Sequence, residues 1–253
     1  LSVIITILLY VMPFGDLISR PIVWLSTLAH EMGHGIGAII VGGSFHKFVM
    51  YADASGVATT SYSGRISGAI VSAGGLIGPA VLGAICFTFA TRARWLFLCL
   101  GLTLVLAEIL VVRNLFGLWF VGVCALMFLW LAVPIKIIIK SVATIRLSTI
   151  TTPTSWIYYR IRVRTMKVNP FVQQIMAYFL GIQMSLSVFS RGDYLFTEYA
   201  NTSQGKMPSD VAHMAEALFL PYWFWGACCG LVSVLVLLIG MKNAWQQLDL
   251  KTE

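Results

Sequence analysis

The stretch "TLAHEMGHGIGAIIVGG", residues 27–43, decides how this chain folds and what chemistry it can carry. It places two histidines and one glutamate in a run that otherwise has the composition of a buried or lipid-facing helix. His30 and His34 are four residues apart, so on a helix they project from one face and can reach the same ion. In zinc hydrolases with an H-E-x-x-H helix, the two imidazoles bind the metal and the glutamate handles the proton of the attacking water. The spacing predicts a metal-binding helix with Glu31 as its general base.

The composition indicates a membrane protein. Of the 253 residues, 58% are hydrophobic and 11% are charged, against about 25% charged in an ordinary soluble domain. Several apolar runs approach the roughly 20 residues that cross a bilayer as a helix. We therefore predict one all-α polytopic domain over residues 1–253, with about seven transmembrane helices. The predicted spans are Leu1–Phe14, Pro21–Val41, Ile66–Ala90, Trp95–Val112, Leu115–Ile135, Phe171–Ser190 and Leu218–Gly240.

The distribution of basic residues predicts the orientation. The net charge of +7 does not indicate nucleic-acid binding, because 12 of the 17 basic residues fall on one side of the predicted bundle. By the positive-inside rule this side is cytoplasmic and includes the C-terminus. We expect a bacterial inner membrane as the location. The five cysteines all lie in apolar runs without metal-binding spacing, so we interpret them as packing residues.

Two connections are longer than tight turns. Residues 42–65 mix β-branched and aromatic residues with Gly and Ser, which favours a small membrane-associated β-hairpin whose edge could pair with an extended peptide. A plain surface loop is the alternative. Residues 136–170 form a basic cytoplasmic loop, whose "YYRIRVRTMK" could also lie on an anionic membrane surface.

The motif helix and its surroundings resemble a known family. "HEMGHGIGAIIVGG" followed by the hairpin-like segment and "SAGGLIGPA" is similar to the site-2-protease class of intramembrane metalloproteases, peptidase family M50, in its M50B-like branch. The resemblance implies a Zn²⁺-dependent endopeptidase that cleaves transmembrane protein substrates within the lipid bilayer. It also implies a third zinc ligand, an aspartate on a distant helix. The matching stretch is "FLGIQMSLSVFSRGDYLF", residues 179–196, from which Asp193 is carried over as the third ligand.

The third ligand is less sharply defined than the first two. The Leu-Asp-Gly pattern of the class is absent, and Gln183 stands where an asparagine is expected. On straight helices His30 and His34 would lie about 14–20 Å deep but Asp193 about 33 Å deep, so the sixth span must start later or break near a glycine. Glu108, Asp53 and His46 remain alternative ligands. His213 and Glu216, beside Asp210, are interpreted as polar loop residues.

Two other functions remain open from the sequence. A catalytically silent or regulatory relative would keep the metal-binding helix without turnover, and the absence of Leu-Asp-Gly is compatible with it. A metal or solute transporter would also place His and Glu inside a membrane. Against a transporter, the ionisable residues concentrate in one motif instead of spreading over several helices. The sequence does not indicate the oligomeric state or a further cofactor site.

Overall fold

The structure, a computed structural model, describes residue 4 and residues 15–133, 168–190, 195–202 and 205–249. In this part of the chain it consists of seven α-helices and two small antiparallel β-hairpins. The helices are α1 (Gly15–Ile40), α2 (Arg65–Phe89), α3 (Ala93–Leu110), α4 (Leu115–Ala132), α5 (Pro170–Ser190), α6 (Asp210–Leu218) and α7 (Tyr222–Asp249). The strands are β1 (Ser44–Met50) and β2 (Gly56–Ser61), followed later by β3 (Tyr199–Thr202) and β4 (Gly205–Pro208).

The motif helix α1 packs closely against α2. Gly33 lies against the backbone of Gly74, and Gly37 lies against Val71, so the two helices run antiparallel. A Cβ atom on Gly33 would overlap the Gly74 carbonyl group. Small residues at a helix interface allow backbones to approach in this way. The "SAGGLIGPA" segment therefore acts as the packing surface for the motif helix.

The first hairpin follows α1 and folds back along it. The indole nitrogen of Trp24 donates a hydrogen bond to the Ala52 carbonyl oxygen at 3.1 Å. One turn further, the Thr27 hydroxyl donates to the Ala54 carbonyl oxygen at 2.8 Å. The predicted hairpin in residues 42–65 is thus present, and side chains of α1 hold it beside the motif.

The opposite edge of this hairpin is covered by the connection between α3 and α4. The Phe48 amide donates to the Val111 carbonyl oxygen at 2.7 Å, and the Arg113 amide donates to the Phe48 carbonyl oxygen at 3.0 Å. The Asn114 side chain bonds both the amide and the carbonyl group of Met50. Phe48 and Met50 are fully buried in the main hydrophobic core. These bonds fix the hairpin from the side that faces away from α1.

Four stretches of the described residues are long and apolar enough to cross a membrane: Arg65–Leu110, Leu115–Ala132, Pro170–Val188 and Tyr222–Gln247. The first contains α2 and α3, which a short 3-10 turn at Ala90–Arg92 separates. Seven spans are therefore not shown. The predicted span Leu1–Phe14 lies outside the described residues except for Ile4, and α1, which carries the polar motif, is not among the four stretches.

The C-terminal part of the described chain brings a short helix to the motif. Helix α5 begins at Pro170 and is continuous through Gly181 to Ser190, so neither a later start of this span nor a break at Gly181 occurs. Gly192, the other glycine at which a break was considered, lies outside the described residues. After the β3–β4 hairpin, α6 packs on α2, and the Arg65 guanidinium donates to the Glu216 carbonyl oxygen at 3.1 Å. Helix α7 then returns along α2, with Gly240 against Ala84. Neither the second hairpin nor α6 was predicted.

Candidate metal centre

The two histidines of the motif face each other across one turn of α1. Their Nε2 atoms are 3.2 Å apart, and both side chains are largely buried, with about 15% and 13% exposed. The imidazole planes are nearly perpendicular. This geometry follows from the four-residue spacing, which places both rings on one face of the helix. The predicted pairing of His30 and His34 is present.

Helix α2 sets the position and the tautomer of the second ring. A Cβ atom on Gly75 would overlap the His34 imidazole, so the ring occupies space that only a glycine leaves. The Nδ1 atom of His34 lies 2.9 Å from the Val71 carbonyl oxygen. Because a carbonyl oxygen can only accept, Nδ1 carries the hydrogen and Nε2 presents its lone pair to the centre.

Asp210, the first residue of α6, completes the cluster. Its Oδ2 atom lies 3.2 Å from His30 Nε2, and its Oδ1 atom lies 3.4 Å from His34 Nε2. The start of α6 is fixed by Ser209, whose hydroxyl oxygen accepts from the Ala212 amide at 3.2 Å. The same hydroxyl donates to the Thr197 carbonyl oxygen at 2.6 Å. A serine cap of this kind holds the first residue of the helix in place, and here that residue is Asp210.

The separations within the cluster are close to those between the ligand atoms of a metal ion. His30, His34 and Asp210 are the one group in the described residues whose ligand atoms lie close enough together to hold a metal. Zinc bonds of about 2.0–2.1 Å to nitrogen or oxygen in a tetrahedron place neighbouring ligand atoms about 3.3–3.4 Å apart. The two Nε2 atoms are 3.2 Å apart. Each Nε2 lies 3.2–3.4 Å from one oxygen of Asp210, which is Oδ2 for His30 and Oδ1 for His34. Three protein ligands with one remaining position are typical of catalytic zinc sites, whereas structural sites use four.

Glu31 lies between this cluster and the first hairpin. The side chain is buried, with 7% exposed, and its Oε2 atom accepts a hydrogen bond from the Ala58 amide at 2.7 Å. A Cβ atom on Gly56 would lie only 2.8 Å from Glu31 Cγ, so this glycine leaves space for the glutamate. Glu31 is therefore a buried carboxylate next to the two histidines, oriented by the backbone of β2.

The comparison with protein families agrees with this geometry. The family described as Peptidase M50B-like matches residues 1–157 and 149–240 of the chain. These matches together cover residues 1–240 of the 253. The chain belongs to this family. Neither the curated proteins nor the solved structures contain a significant match to the chain.

Family membership confirms the resemblance to the site-2-protease class of peptidase family M50. Together with the four apolar stretches, it identifies an integral membrane protein of a metalloprotease family. Proteases of M50 are in general zinc-dependent, and the M50B-like protein has a His-His-Asp group of the matching kind.

The alternative third ligands that the structure describes lie elsewhere. His46 Nε2 is 2.8 Å from the Ser61 hydroxyl oxygen in the first hairpin. Asp53 accepts from the hydroxyl and the amide of Ser55, and these two bonds hold the pKa of its carboxyl below the ordinary value. Glu108 lies against Gly122 of α4. None of the three joins the two histidines.

Two further predictions concern polar residues of the C-terminal part. Asp193 lies outside the described residues, so its assignment as a ligand stays a prediction. His213 and Glu216 are exposed, but they lie in helix α6 and not in a loop, so the predicted loop is wrong.

The sequence contains a signal for Asp210 that lies outside the H-E-x-x-H motif and its spacing. The stretch "SDVAHMAEAL", residues 209–218, begins with Ser-Asp, a typical helix start, and places Val211 and Met214 three residues apart. These features are typical of a short amphipathic helix with an acid in its first turn. Both apolar residues are buried against the bundle, and this packing turns Asp210 towards α1.

Proposed function

We propose that this M50B-like protein is a zinc-dependent endopeptidase that hydrolyses peptide bonds in or near transmembrane segments of membrane proteins. One observation supports the proposal above all others. Two histidines from α1 and an aspartate from α6 converge within reach of one ion, and the buried Glu31 follows His30 in the same helix. This is the donor set that a hydrolytic zinc site requires.

The metal-binding residues and Glu31 would have separate roles in the reaction. His30, His34 and Asp210 would hold the ion, which when bound supplies Lewis acidity that activates water and polarises a carbonyl group. Glu31 would accept a proton from the attacking water and pass it to the leaving nitrogen. The water oxygen thereby bonds to the carbonyl carbon as the carbon–nitrogen bond breaks. The Ala58 amide keeps one Glu31 oxygen fixed, which limits the orientations of the base.

The first hairpin offers a place for an extended substrate. Phe48 and Ala58 are paired residues, and the amide and carbonyl group of Phe48 bond away from β2. In an antiparallel pair of this kind, the main-chain groups of Ala58 also point outward. The outer edge of β2 therefore faces Glu31, while the 111–113 connection covers the outer edge of β1. We place an unwound transmembrane substrate along the β2 edge beyond Ala58, because the Ala58 amide is already bonded to Glu31.

The test combines metal analysis with turnover. Purified wild-type protein is expected to contain about one zinc ion per chain and to cleave a single-span membrane protein in vesicles. His34→Ala and Asp210→Ala should lose both zinc and cleavage. Glu31→Gln should keep the zinc but lose activity by at least about 100-fold, since a positioned general base contributes about 10²- to 10⁴-fold.

Asp53→Asn is the matched control, because this carboxylate bonds only Ser55 in the described structure and should affect neither quantity. Zinc binding without cleavage in the wild-type protein would refute a protease and favour the silent relative. Unchanged zinc content in Asp210→Ala would refute the assigned third ligand.

A further inference from the structure

A small cavity lies beside His30, between helices α1, α2 and α5. Its volume is about 30 Å³, and most of its wall is apolar, formed by Leu76, Pro79, Val188 and Leu195. A cavity of this size holds one or two water molecules, provided that polar groups are present to bind them.

The first polar group in the wall is the Ser26 hydroxyl. Ser26 lies one turn before His30 on the same face of α1 and is buried, with 3% exposed. Among the described residues, no hydrogen bond of this hydroxyl to the protein is found. Because Ser26 lines the cavity, a water molecule there can serve as the partner of its hydroxyl.

The second polar group is the Ser187 hydroxyl on α5, across the cavity from α1. It donates to the Met184 carbonyl oxygen at 2.7 Å. Its hydrogen is therefore committed to the helix, whereas a hydroxyl oxygen has two lone pairs that accept. Ser26 can thus donate to a water molecule that in turn donates to Ser187. Both serines line the same small cavity.

We propose that Ser26 and Ser187 bind a water molecule beside His30 and supply it to the metal centre. The role in catalysis rests on the proposed function, whereas the water site itself does not. Each peptide hydrolysis consumes one water: its oxygen bonds to the carbonyl carbon, the carbon–nitrogen bond breaks, and one proton ends on the amine nitrogen. The wall of the cavity is largely apolar, and the two hydroxyls beside His30 hold a water molecule there. This water replaces the one that hydrolysis consumes at the metal centre. The serines are positioning residues.

The water site is tested without any turnover by X-ray hydroxyl-radical footprinting of the intact protein, read by mass spectrometry. Radiolysis of a bound water oxidises the side chains around it. Leu76 lines the cavity and Leu104 does not, yet both are similarly buried, with 7% and 8% exposed. We expect several-fold more oxidation at Leu76 than at Leu104. Ser26→Val, which fills the cavity with methyl groups, should remove the difference. Equal oxidation of the two leucines in the wild-type protein would overturn the proposal.

The supply role is tested by kinetics. Ser26→Ala and Ser187→Ala should each lower kcat by about tenfold, as expected for one lost hydrogen bond, with unchanged KM and zinc content. Ser185→Ala is the control, since Ser185 donates to the Gly181 carbonyl oxygen in the same helix and does not line the cavity. An equal loss in Ser185→Ala would overturn the supply role. Oxidation at Leu76 with no cleavage by the wild-type protein would refute the protease and leave the water site established.

Discussion

At the scale of single residues, the position of the His34 ring depends on Gly75 of α2 as well as on its own helix α1. The ring lies in the space above Gly75, and its Nδ1 atom bonds the Val71 carbonyl oxygen on the same helix as that glycine. Outer groups of this kind orient a metal ligand, and changing them reduces metal affinity by about 10- to 100-fold. The position of the imidazole therefore depends on α2 keeping its small residues.

We accordingly expect Gly75→Ala to lower zinc affinity by about 10- to 100-fold, because its methyl group displaces the His34 ring. Competition with a chromophoric zinc chelator measures this change. Gly230→Ala is the matched control, since the nearest atom to its added Cβ, on Leu195, would be 3.7 Å away. Equal affinity in the Gly75→Ala and wild-type proteins would show that α2 does not position the ring.

The H-E-x-x-H spacing identified the candidate site residues on α1. It did not identify Asp210, which tertiary packing brings to the site from another helix. His30, Glu31 and His34 share a helical turn, so their proximity follows from local geometry alone. Asp210 reaches them only because Ser209 caps α6 and because Val211 and Met214 bury against the bundle. The sequence pattern of α1 does not indicate that Asp210 packs against it.

At the scale of elements, the first hairpin links Glu31 to the rest of the fold. Glu31 is bonded to β2, and β1 is bonded in turn to the 111–113 connection between α3 and α4. The mixture of β-branched and aromatic residues with Gly and Ser in residues 42–65 predicted this hairpin, and the structure confirms it. The β3–β4 hairpin has strands of only four residues, too short to show a period of two.

The contribution of the first hairpin to cleavage is measured by removing the amide hydrogen of residue 58. Ala58→Pro removes the donor that Glu31 accepts from, and it spares the strand pairing because this amide points away from β1. A hydrogen bond to a charged group is worth about 1.5–3 kcal/mol, so cleavage should fall by about 10- to 100-fold with zinc retained. Ala58→Gly keeps the amide hydrogen and serves as the control. Full activity in Ala58→Pro would show that Glu31 does not need this bond.

At the scale of the whole molecule, hydrogen bonds bring several helix ends together at one end of the bundle. Arg94, at the start of α3, donates to the Ala132 carbonyl oxygen at the end of α4. Gln173, near the start of α5, donates to the neighbouring Leu131 carbonyl oxygen. Gln247, near the end of α7, donates to the Thr88 carbonyl oxygen in α2. The hydropathy pattern predicted this shared end, because successive spans alternate in direction.

The distribution of charge over the two ends then predicts the orientation in the membrane. Arg92, Arg94 and Lys242 lie at or near this end, where α4 ends and α5 begins. The sequence between these two helices holds seven further basic residues. By the positive-inside rule we expect this end, with the C-terminus, to be cytoplasmic, and Gly64 to lie on the other side. Green fluorescent protein fused after Glu253 should fluoresce, and alkaline phosphatase inserted after Gly64 should be active. Exchanging the two reporters should silence both, and activity of the exchanged pair would reverse the orientation.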